Sequence, residues 1–537
     1  MVLMCPFGKE GNVEIAKETT TFRPGAFYGC QFITSITFQD GGDADLIIPD
    51  GDSGLKGSTN RVFYACWRLA TITFPSRIKS IGSFAFYGGG NSTQVKNENG
   101  VNVSVKYERT ALTEVTFAQN SRLESIGEGA FKTTLITEFT LPESVTEVGA
   151  NVFADNSTTD KSKLTTLNLS SNVTAEMYFN LTKGVSSLAT VNFTSEERLF
   201  LIENDVIYDN EKTVIAGVLP NAKTTLTAYE VPATVTKISD EAFKGLSKLK
   251  TLTFAEPAEG AAEIKLEIGK YAFSATGITE VTLPKRIENF GAYAFYNCKS
   301  LATLKFENGF SASIPDNAFQ NSILTEVTIP GDVVAMGRSA FSGTNLTTVT
   351  FGLTASGAAS QLKSIGADAF NKCTKLALLQ VEKTEKDAEG NPTYEENKLP
   401  ALTSLGVSDS YKNGPFNGCT SLETIVIPDE VTVIGGVAFK GCTSLTSVTL
   451  PRALTIIYSE AFSGCTKLKT VKFNDNTETA AVSLQQKVFY GCTALTSIDF
   501  TKIGKFEGAN IFENCKALTS VNIHEQLDAG IYNALFK

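Results

Sequence analysis

Residues 441–473 have the sequence GCTSLTSVTLPRALTIIYSEAFSGCTKLKTVKF. The stretch contains one pattern twice, because Cys442 returns as Cys465 after 23 residues, and Cys419 precedes Cys442 by the same interval. Self-similarity at a fixed interval of this length marks a repeat architecture. The cysteines then belong to a metal or redox array, to a ladder of disulfides, or to a buried position that stacks from one repeat to the next.

A phenylalanine three residues before each of these cysteines defines the repeat unit. The shortest intervals between successive phenylalanines are 22 and 23 residues, and longer intervals indicate the same unit with an insertion. The repeat phenylalanines are Phe27, Phe63, Phe86, Phe131, Phe153, Phe179, Phe243, Phe273, Phe295, Phe319, Phe341, Phe370, Phe416, Phe439, Phe462, Phe489 and Phe512.

Each phenylalanine is followed by a strand pattern of the form L-x-x-V-x-F, as in Leu445, Val448 and Leu450. Its alternation of apolar and polar residues predicts a strand with one buried face. A proline such as Pro451 often follows at once, and it ends the strand because it has no N–H to donate. The unit closes with V-x-x-I-G and Ala-Phe, and the glycine, as at Gly435, predicts a turn with a positive φ.

A unit of this length cannot bury its own apolar side, whereas stacked copies share one continuous core. The sequence therefore predicts a β-rich right-handed solenoid of repeats of 22–23 residues, with about seventeen coils. In this fold the L-x-x-V-x-F strands are expected to form one long parallel sheet.

The stretch FLIENDVIYDNEKTVIAGVLP (200–220) interrupts the array. Two apolar runs flank Asp209 and Asn210, which predicts a β-hairpin. The chain is thereby divided into an amino-terminal array, a hairpin-type unit and a carboxy-terminal array. Their predicted limits are 1–195, 196–235 and 236–537, and polar insertions at 88–111 and 381–400 are expected to project as loops.

These motifs resemble the BspA-type leucine-rich-repeat family, also called Treponema-type repeats, whose unit runs L-x-x-I-x-I-P-x-x-V-x-x-I-G-x-x-A-F-x-x-C. The resemblance covers nearly the whole chain, although Ser239, Pro315 and Tyr458 replace the turn glycine in three units. It implies leucine-rich-repeat proteins at the cell surface or secreted, which act in adhesion and protein binding.

Composition argues against several classes of function. The formal charge is −10, and no block of lysine or arginine stands out, which disfavours a nucleic-acid partner. No apolar run approaches the ~20 residues of a membrane span, and no secretory signal is visible. With a single histidine, His524, the chain is not expected to use histidine-based catalysis, and we predict no enzyme activity and no cofactor.

The cysteine position itself favours buried free thiols. Nine of the ten cysteines share it, and Thr276, Ser322 and Thr344 replace cysteine in other units, which is not typical of a metal ligand. Disulfides between adjacent coils stay open as an alternative, since the spacing of ~5 Å permits them. The predicted structural ladder includes Cys419, Cys442, Cys465, Cys492 and Cys515 with Phe439 and Phe462.

Gly51-Asp52-Ser53-Gly54 resembles the nucleophile loop of trypsin-like serine proteases. In that fold the histidine base precedes the serine, whereas His524 follows it here. We interpret the motif as part of a polar loop.

The same segment, DGGDADLIIPDGDSG (40–54), gathers five aspartates. Clustered carboxylates among glycines can bind calcium, but the spacing fits neither an EF-hand nor a GGxGxDxUx repeat. The segment predicts a solvated acidic loop, with a calcium site as the alternative. Its candidate ligands are Asp40, Asp43, Asp45, Asp50 and Asp52.

The polar position between the last two apolar residues of each strand is rich in threonine. Threonine is common on exposed strand faces, and a polar face of low charge also offers hydroxyls to a protein or glycan. The candidate ligand-binding residues are Thr73, Thr116, Thr140, Thr253, Thr282, Thr328 and Thr350.

Together these observations predict a non-enzymatic recognition scaffold, resembling cell-surface adhesins, that binds protein or glycan through its sheet and inserted loops. The alternative is a structural subunit, because the array begins and ends partway through a coil and could assemble end to end. A recognition scaffold is expected to be a monomer, and a structural subunit is expected to self-associate.

Overall fold

Short parallel strands, which recur once or twice in each coil, are the main regular elements of the structure. The computed structural model describes residues 5–6, 8–51, 61–63, 66–87, 92–96, 102–106, 111–154, 162–194, 199–258, 260, 264–406, 414–473, 482–499 and 503–522. The chain forms two compact units, Met1–Ala222 and Lys223–Lys537. The division that the sequence predicts at residues 195 and 235 stays a prediction.

The first unit contains one helix among its strands. Its elements are β1 (Gly11–Ile15), β2 (Ile33–Phe38), β3 (Leu46–Ile48), β4 (Thr71–Phe74), β5 (Ile78–Ile81), β6 (Ser92–Lys96), β7 (Asn102–Lys106), β8 (Glu114–Phe117), β9 (Ser125–Ile126), β10 (Glu138–Thr140), β11 (Glu147–Val148), β12 (Thr166–Leu169), α1 (Ala175–Thr182), β13 (Thr190–Phe193), β14 (Leu201–Glu203), β15 (Val206–Tyr208) and β16 (Val214–Val218). The short helix α2 (Ala222–Thr225) follows β16.

The second unit continues with strands. They are β17 (Ala228–Val231), β18 (Lys237–Ile238), β19 (Thr251–Phe254), β20 (Leu266–Ile268), β21 (Glu280–Leu283), β22 (Ile287–Phe290), β23 (Thr303–Phe306), β24 (Glu326–Ile329), β25 (Ala335–Met336), β26 (Thr348–Phe351), β27 (Ser364–Ile365), β28 (Leu378–Lys386), β29 (Pro392–Glu396), β30 (Ser404–Leu405), β31 (Thr424–Val426), β32 (Val433–Ile434), β33 (Ser447–Leu450), β34 (Ile456–Ile457), β35 (Thr470–Phe473), β36 (Val482–Leu484), β37 (Ser497–Asp499), β38 (Ile503–Phe506) and β39 (Ser520–Asn522).

The L-x-x-V-x-F segments form parallel strands that pair with equivalent residues in the next coil. In the first unit, β4 pairs with β8 so that Thr73 lies opposite Thr116 and Phe74 lies opposite Phe117. The same strand position gives the sheets β1-β2-β4-β8 and β10-β12-β13 in the first unit. In the second it gives β17-β19-β21-β23, β24-β26-β28-β29, β31-β33-β35 and β37-β39. The repeated parallel pairing is consistent with a solenoid.

A second set of parallel strands forms at the V-x-x-I-G segments, where the sequence predicts only a turn. In the first unit these strands give the sheet β3-β5-β9-β11, and in the second β25 begins a seven-stranded sheet that ends at β38. Many are two residues long, such as Val433–Ile434, and an alternation of period two is invisible over so short a stretch. The single long sheet and the number of coils stay predictions.

The glycine of V-x-x-I-G is required by close packing in most coils, and the predicted positive φ is wrong at Gly435 and most equivalent positions, although Gly406 has a φ of 82°. Gly291, for example, does not have a positive φ, but an added Cβ would lie 2.4 Å from the carbonyl carbon of Gly269 in the adjacent coil. Positive φ values flank the phenylalanine instead, as at Glu460 (58°) and Gly464 (74°) around Phe462. Both positions let the chain turn sharply around the buried ring.

The repeat phenylalanines stack ring on ring within each unit. In the second unit neighbouring ring centroids are 5.2–5.7 Å apart and the ring planes differ by 17° or less. The stack runs through Phe243, Phe273, Phe295, Phe319, Phe341, Phe370, Phe416, Phe439, Phe462, Phe489 and Phe512. In the first unit Phe27, Phe63, Phe86, Phe131 and Phe153 form the equivalent stack.

Phe179 departs from this arrangement. It lies on α1, where it is only half-buried, and Lys183 Nζ lies 5.0 Å from its ring centroid. The helix forms because Thr174 caps it by accepting a hydrogen bond from the backbone N–H of Met177 at 3.1 Å. The aromatic residue that the helix buries is Tyr178, so Phe179, predicted as a repeat phenylalanine, does not occupy the buried corner of its coil.

Segments 201–218, 92–106 and 378–396 pair antiparallel. In the first, β15 pairs with β14 and with β16, and Asp209 closes the predicted loop by accepting hydrogen bonds from the N–H groups of Thr213 and Val214. The two insertions expected as loops are hairpins, β6–β7 and β28–β29.

Removal of a stacked ring should cost far more stability than removal of a half-buried one. We expect Phe439→Ala to lower the free energy of unfolding by about 3–5 kcal/mol, because it leaves a cavity in a fully buried stack. Phe473→Ala, in the same unit but half-buried, is the matched control and should cost about 1 kcal/mol. Urea unfolding followed by circular dichroism measures both, and equal losses would contradict the stacking argument.

Candidate recognition surface

The solvent side of the L-x-x-V-x-F strands carries most of the predicted binding residues. Backbone alternation turns the apolar residues of β4, Ile72 and Phe74, inward and leaves Thr73 exposed between them. The same alternation exposes the candidate threonines of other strands and leaves one half-buried. Thr73, Thr140, Thr253, Thr282 and Thr328 are exposed, and Thr116 is half-buried.

Several of these side chains hydrogen-bond to their neighbours on the next coil. Thr116 Oγ1 donates a hydrogen bond to Thr73 Oγ1 at 2.9 Å. Asn168 Nδ2 donates to Thr140 Oγ1 at 3.0 Å, and Asn192 Nδ2 donates to Asn168 Oδ1 at 2.8 Å. Each hydroxyl keeps a lone pair for a further hydrogen bond, so the rows offer oriented polar groups to a ligand.

Thr350 is buried, contrary to the expectation for its position. Only 8% of the residue is exposed, and Gln380 Nε2 donates a hydrogen bond to its Oγ1 at 2.9 Å. Gln380 lies on β28, where the inserted hairpin begins and its partner strand β29 returns beside it. A long side chain on the adjacent strand therefore removes Thr350 from the exposed face.

The candidate calcium ligands do not come together in the part of the chain that the structure describes. Asp40 and Asp43 are exposed, and Asp52 lies outside the described residues. Among these residues no three histidine, cysteine or carboxylate side chains form a group that could hold a metal ion. A calcium site that includes Asp52 stays a prediction.

Two of the same aspartates are engaged within the protein. Asp45 lies 3.4 Å from Lys79 Nζ and 3.5 Å from an Arg122 nitrogen. Asp50 Oδ1 accepts a hydrogen bond from the backbone N–H of Ser83 at 2.6 Å. Cations next to Asp45 disfavour a bound metal ion there.

All ten cysteines are free thiols, and those at the repeat position form a ladder of hydrogen bonds. Each donates from Sγ to a backbone carbonyl of the preceding coil: Cys442 to Phe416 at 3.2 Å, and Cys465 to Phe439 at 3.2 Å. The same bond is made by Cys66, Cys298, Cys373, Cys419, Cys492 and Cys515. The predicted stacking role agrees with this geometry.

Two units without cysteine satisfy part of the same network with a threonine hydroxyl, whereas the buried hydroxyl of Ser322 makes no hydrogen bond to any described residue. Thr276 Oγ1 donates to the carbonyl of Phe273 at 2.9 Å and lies 3.2 Å from Cys298 Sγ. Thr344 Oγ1 lies 3.2 Å from Cys373 Sγ. A small donor therefore suffices at this position.

Burial makes these thiols unreactive. Burial raises the pKa of Cys442 to about 12 and that of Cys373 to about 11. The thiolate is the nucleophile and the metal ligand, so a thiol that keeps its proton at neutral pH serves packing. The serine of the protease-like motif, Ser53, and His524 lie outside the described residues.

Thiol labelling should test this ladder. With a pKa of about 12, roughly one thiol in 10⁴ is ionised at pH 8, so we expect Cys442 to resist a thiol reagent until the chain unfolds. Cys515, which is partly exposed, should react first. Rapid native labelling of Cys442, followed by mass spectrometry, would contradict the burial.

Calcium is expected to leave the thermal unfolding midpoint unchanged. The ion pairs of Asp45 compete with any cation, and about 5 mM calcium would fill even a weak extracellular type of site. Calorimetry with calcium and with chelator measures the midpoint. A rise of several degrees would reveal a site in the acidic segment, and magnesium serves as the control ion.

Neither helix of the described chain has the length and hydropathy of a membrane span. A comparison with curated protein sequences found no match. Solved structures with similar folds include a leucine rich cell surface protein from Faecalibacterium prausnitzii A2-165, 20% identical, covering 71% of this chain and 93% of that chain with a TM-score of 0.38. A leucine-rich repeat protein from Eubacterium ventriosum is also similar: it is 16% identical, the match covers 93% of this chain and 87% of that chain, and the TM-score is 0.34. For a leucine-rich repeat protein from Bacteroides ovatus the identity is 19%, the match covers 97% of this chain and 88% of that chain, and the TM-score is 0.31.

The family assignment rests on the repeats themselves. The family model described as BspA type leucine rich repeat region matches in six copies, over residues 48–160, 107–212, 221–265, 266–399 and 409–537. These ranges cover far more than half of the sequence and include most of the strands, of the stacked phenylalanines and of the thiol ladder. The chain belongs to the BspA-type leucine-rich repeat family.

Proposed function

We propose that the protein is a non-enzymatic recognition scaffold that binds a protein or a glycan. The binding face consists of the exposed sides of the L-x-x-V-x-F strands with the inserted hairpins β6–β7 and β28–β29. We further propose that the coils, about seventeen of them, wind as a right-handed solenoid whose strands act as one continuous face. The family assignment supports an adhesin-like role at the cell surface or after secretion.

The hydrogen-bonded rows of polar side chains carry this proposal. Thr140, Asn168 and Asn192 lie on three successive strands and are already oriented by their mutual hydrogen bonds. Binding to such a face costs little ordering entropy, because the side chains and the backbone below them are fixed before the ligand arrives. Distributed weak contacts can then sum to useful affinity.

The hairpin β28–β29 adds an aromatic contact next to the sheet. Tyr394 on β29 is 41% exposed, although most large apolar residues of the unit are buried. Tyrosine is enriched among the residues that dominate binding energy at interfaces. Strand β28 of the hairpin also pairs with β26 of the adjacent coil, so the hairpin is held in a fixed position relative to the sheet.

Two observations support a role without catalysis. Proteins of this repeat family are generally non-enzymatic. Burial raises the pKa values of the repeat thiols, as for Cys373 to about 11, which suits packing and disfavours attack on a substrate.

End-to-end assembly stays a prediction from the sequence. The residues that would form the end contacts, 1–4 and 523–537, lie outside the described part of the chain. We therefore place recognition first.

Lysines introduced on the exposed face of the strands should weaken ligand binding without unfolding the protein. We expect the double variant Thr253→Lys/Thr282→Lys to weaken binding of any ligand that uses this face by about tenfold or more. The ligand is sought on arrays of purified extracellular proteins and glycans, and affinity is then measured by calorimetry.

The control places the same charges elsewhere in the unit. Thr432 and Thr455 are exposed and immediately precede β32 and β34 of the other set of strands, so Thr432→Lys/Thr455→Lys should bind normally. If both double variants lose binding equally, or neither does, the strand face is not the binding surface.

A further inference from the structure

Three tyrosines and two lysines form an exposed cluster on the second unit, away from the threonine rows. The rings of Tyr271 and Tyr293 stack with centroids 4.6 Å apart, and Tyr296 packs edge to face on Tyr293 at 5.6 Å. Lys270 Nζ lies 5.4 Å from the Tyr271 ring centroid and Lys244 Nζ lies 5.1 Å from it. These five residues are called the tyrosine patch below.

The tyrosine patch occupies the turns that flank the repeat phenylalanine in successive coils. Tyr271 and Tyr293 stand two residues before Phe273 and Phe295. The backbone N–H of Tyr271 donates to the carbonyl of Ala292 at 3.1 Å, which holds the two coils together directly beneath the rings. The backbone that carries the two rings is therefore held in a fixed position.

The backbone at these tyrosines favours another residue type. Tyr271 has a φ of 57° and Tyr293 a φ of 61°, a left-handed conformation that bulky residues avoid and that glycine and asparagine tolerate. Other coils have either asparagine at the same position, as at Asn317 (57°), or a larger residue, as at Glu241 (60°) and Val437 (50°). The two tyrosines are therefore distinguished by their stacking on each other, and not by the backbone conformation alone.

The need to fill space in the core does not explain why tyrosines occupy these positions. All three rings of the patch are half-buried, so part of each ring lies in solvent. The first unit has an aromatic pair at the equivalent positions, Phe84 and Tyr87, but both are buried. There the rings fill space inside the protein, whereas in the second unit they form surface.

The surroundings of the patch suit hydroxyl groups. In the adjacent coil, Asn321 Nδ2 donates to Asn297 Oδ1 at 2.8 Å, and Asn317 Nδ2 donates to Gln320 Oε1 at 2.6 Å. The backbone N–H of Asn297 also donates to the carbonyl of Gln320 at 2.9 Å, so the amides border Tyr296. Amides can donate and accept at once, as sugar hydroxyls do.

The charges of the patch are balanced locally. Lys244 Nζ lies 3.2 Å from Glu241 Oε1, and Lys270 packs over both stacked rings, 5.8 Å from the Tyr293 centroid. Asp240, whose side chain accepts the backbone N–H of Lys270 at 2.8 Å, adds a negative charge beside it. Such a surface has no excess charge to attract an ionic partner.

We propose that the tyrosine patch is a binding site for a neutral oligosaccharide. The apolar C–H face of a sugar ring packs on the exposed parts of the tyrosines, and its hydroxyls bond to the amides of Asn297, Gln320 and Asn321. This inference deepens the recognition role proposed above and rests on it, but it assigns the sugar to a surface separate from the threonine rows.

Substitution by asparagine separates binding from folding. Tyr271→Asn/Tyr293→Asn installs the residue that Asn317 provides at the same position of the next coil, so we expect the midpoint of thermal unfolding to stay unchanged or rise. Binding of the full chain to cellohexaose, chitohexaose and xylohexaose is measured by calorimetry. We expect at least one to bind, with a tenfold or greater loss in the double variant and little dependence on salt.

Two controls make the result specific. Tyr490→Asn removes a half-buried tyrosine outside the patch, whose ring centroid also lies near a lysine, 5.5 Å from Lys487 Nζ, and it should leave sugar binding intact. The variant Thr253→Lys/Thr282→Lys should also bind sugar normally, because its charges lie on the strand face. If that variant alone loses the sugar, the patch proposal is overturned while the proposed recognition function survives.

Other outcomes overturn the patch proposal as well. They are stronger binding of a hyaluronan hexasaccharide than of every neutral sugar, binding of none of the three neutral probes at millimolar concentration, and equal binding by the wild-type chain and the asparagine variant. A protein ligand that requires the tyrosines but no sugar would identify the patch as a protein interface, which also contradicts the proposal.

Discussion

The stacking of one phenylalanine per coil is the constraint on which the rest of the structure depends. The residue is fixed on every side: the ring of Phe439 packs on that of Phe462 at 5.2 Å, its N–H donates to the carbonyl of Ala461 at 2.7 Å, and its own carbonyl accepts the thiol of Cys465 at 3.2 Å. A stack with this spacing holds neighbouring coils in register, so equivalent strand residues lie opposite each other.

The same constraint explains the unusual backbone around the ring. Because the chain must turn sharply on both sides of the phenylalanine, positive φ values recur two residues before it and two after it. Those turn residues vary from coil to coil, and some of them, such as Thr133 and Val437, are buried, whereas others lie at the surface. The turns thus offer variable side chains on a fixed frame, and at Tyr271 and Tyr293 two of these side chains stack on each other.

The thiol ladder belongs to the core, and the polar rows belong to the surface. A buried Sγ–H donor adds a second hydrogen bond to a carbonyl that already accepts a backbone N–H, as the carbonyl of Phe439 accepts that of Cys442 at 3.1 Å, and burial raises the pKa of the thiol so that it keeps its proton. On the outside, hydroxyls and amides form hydrogen bonds between neighbouring coils. Thr73 accepts one from Thr116, and Asn168 donates one to Thr140. One part of the repeat thereby supplies stability, and another supplies an oriented face for a partner.

The sequence by itself determined the repeat, the family resemblance, the parallel strands and the buried phenylalanine and cysteine positions. It could do so because each coil must bury the same positions, and apolar residues therefore recur at a regular interval in the sequence. Only the tertiary structure decided which residues of neighbouring coils come into contact. It showed that the glycine of V-x-x-I-G avoids a backbone collision, that Gln380 covers Thr350, that Phe179 lies on a helix, and that three tyrosines meet on one surface. Such contacts join residues some 20–50 positions apart in coils of unequal length, and their distance in space depends on the register that the stacked rings impose.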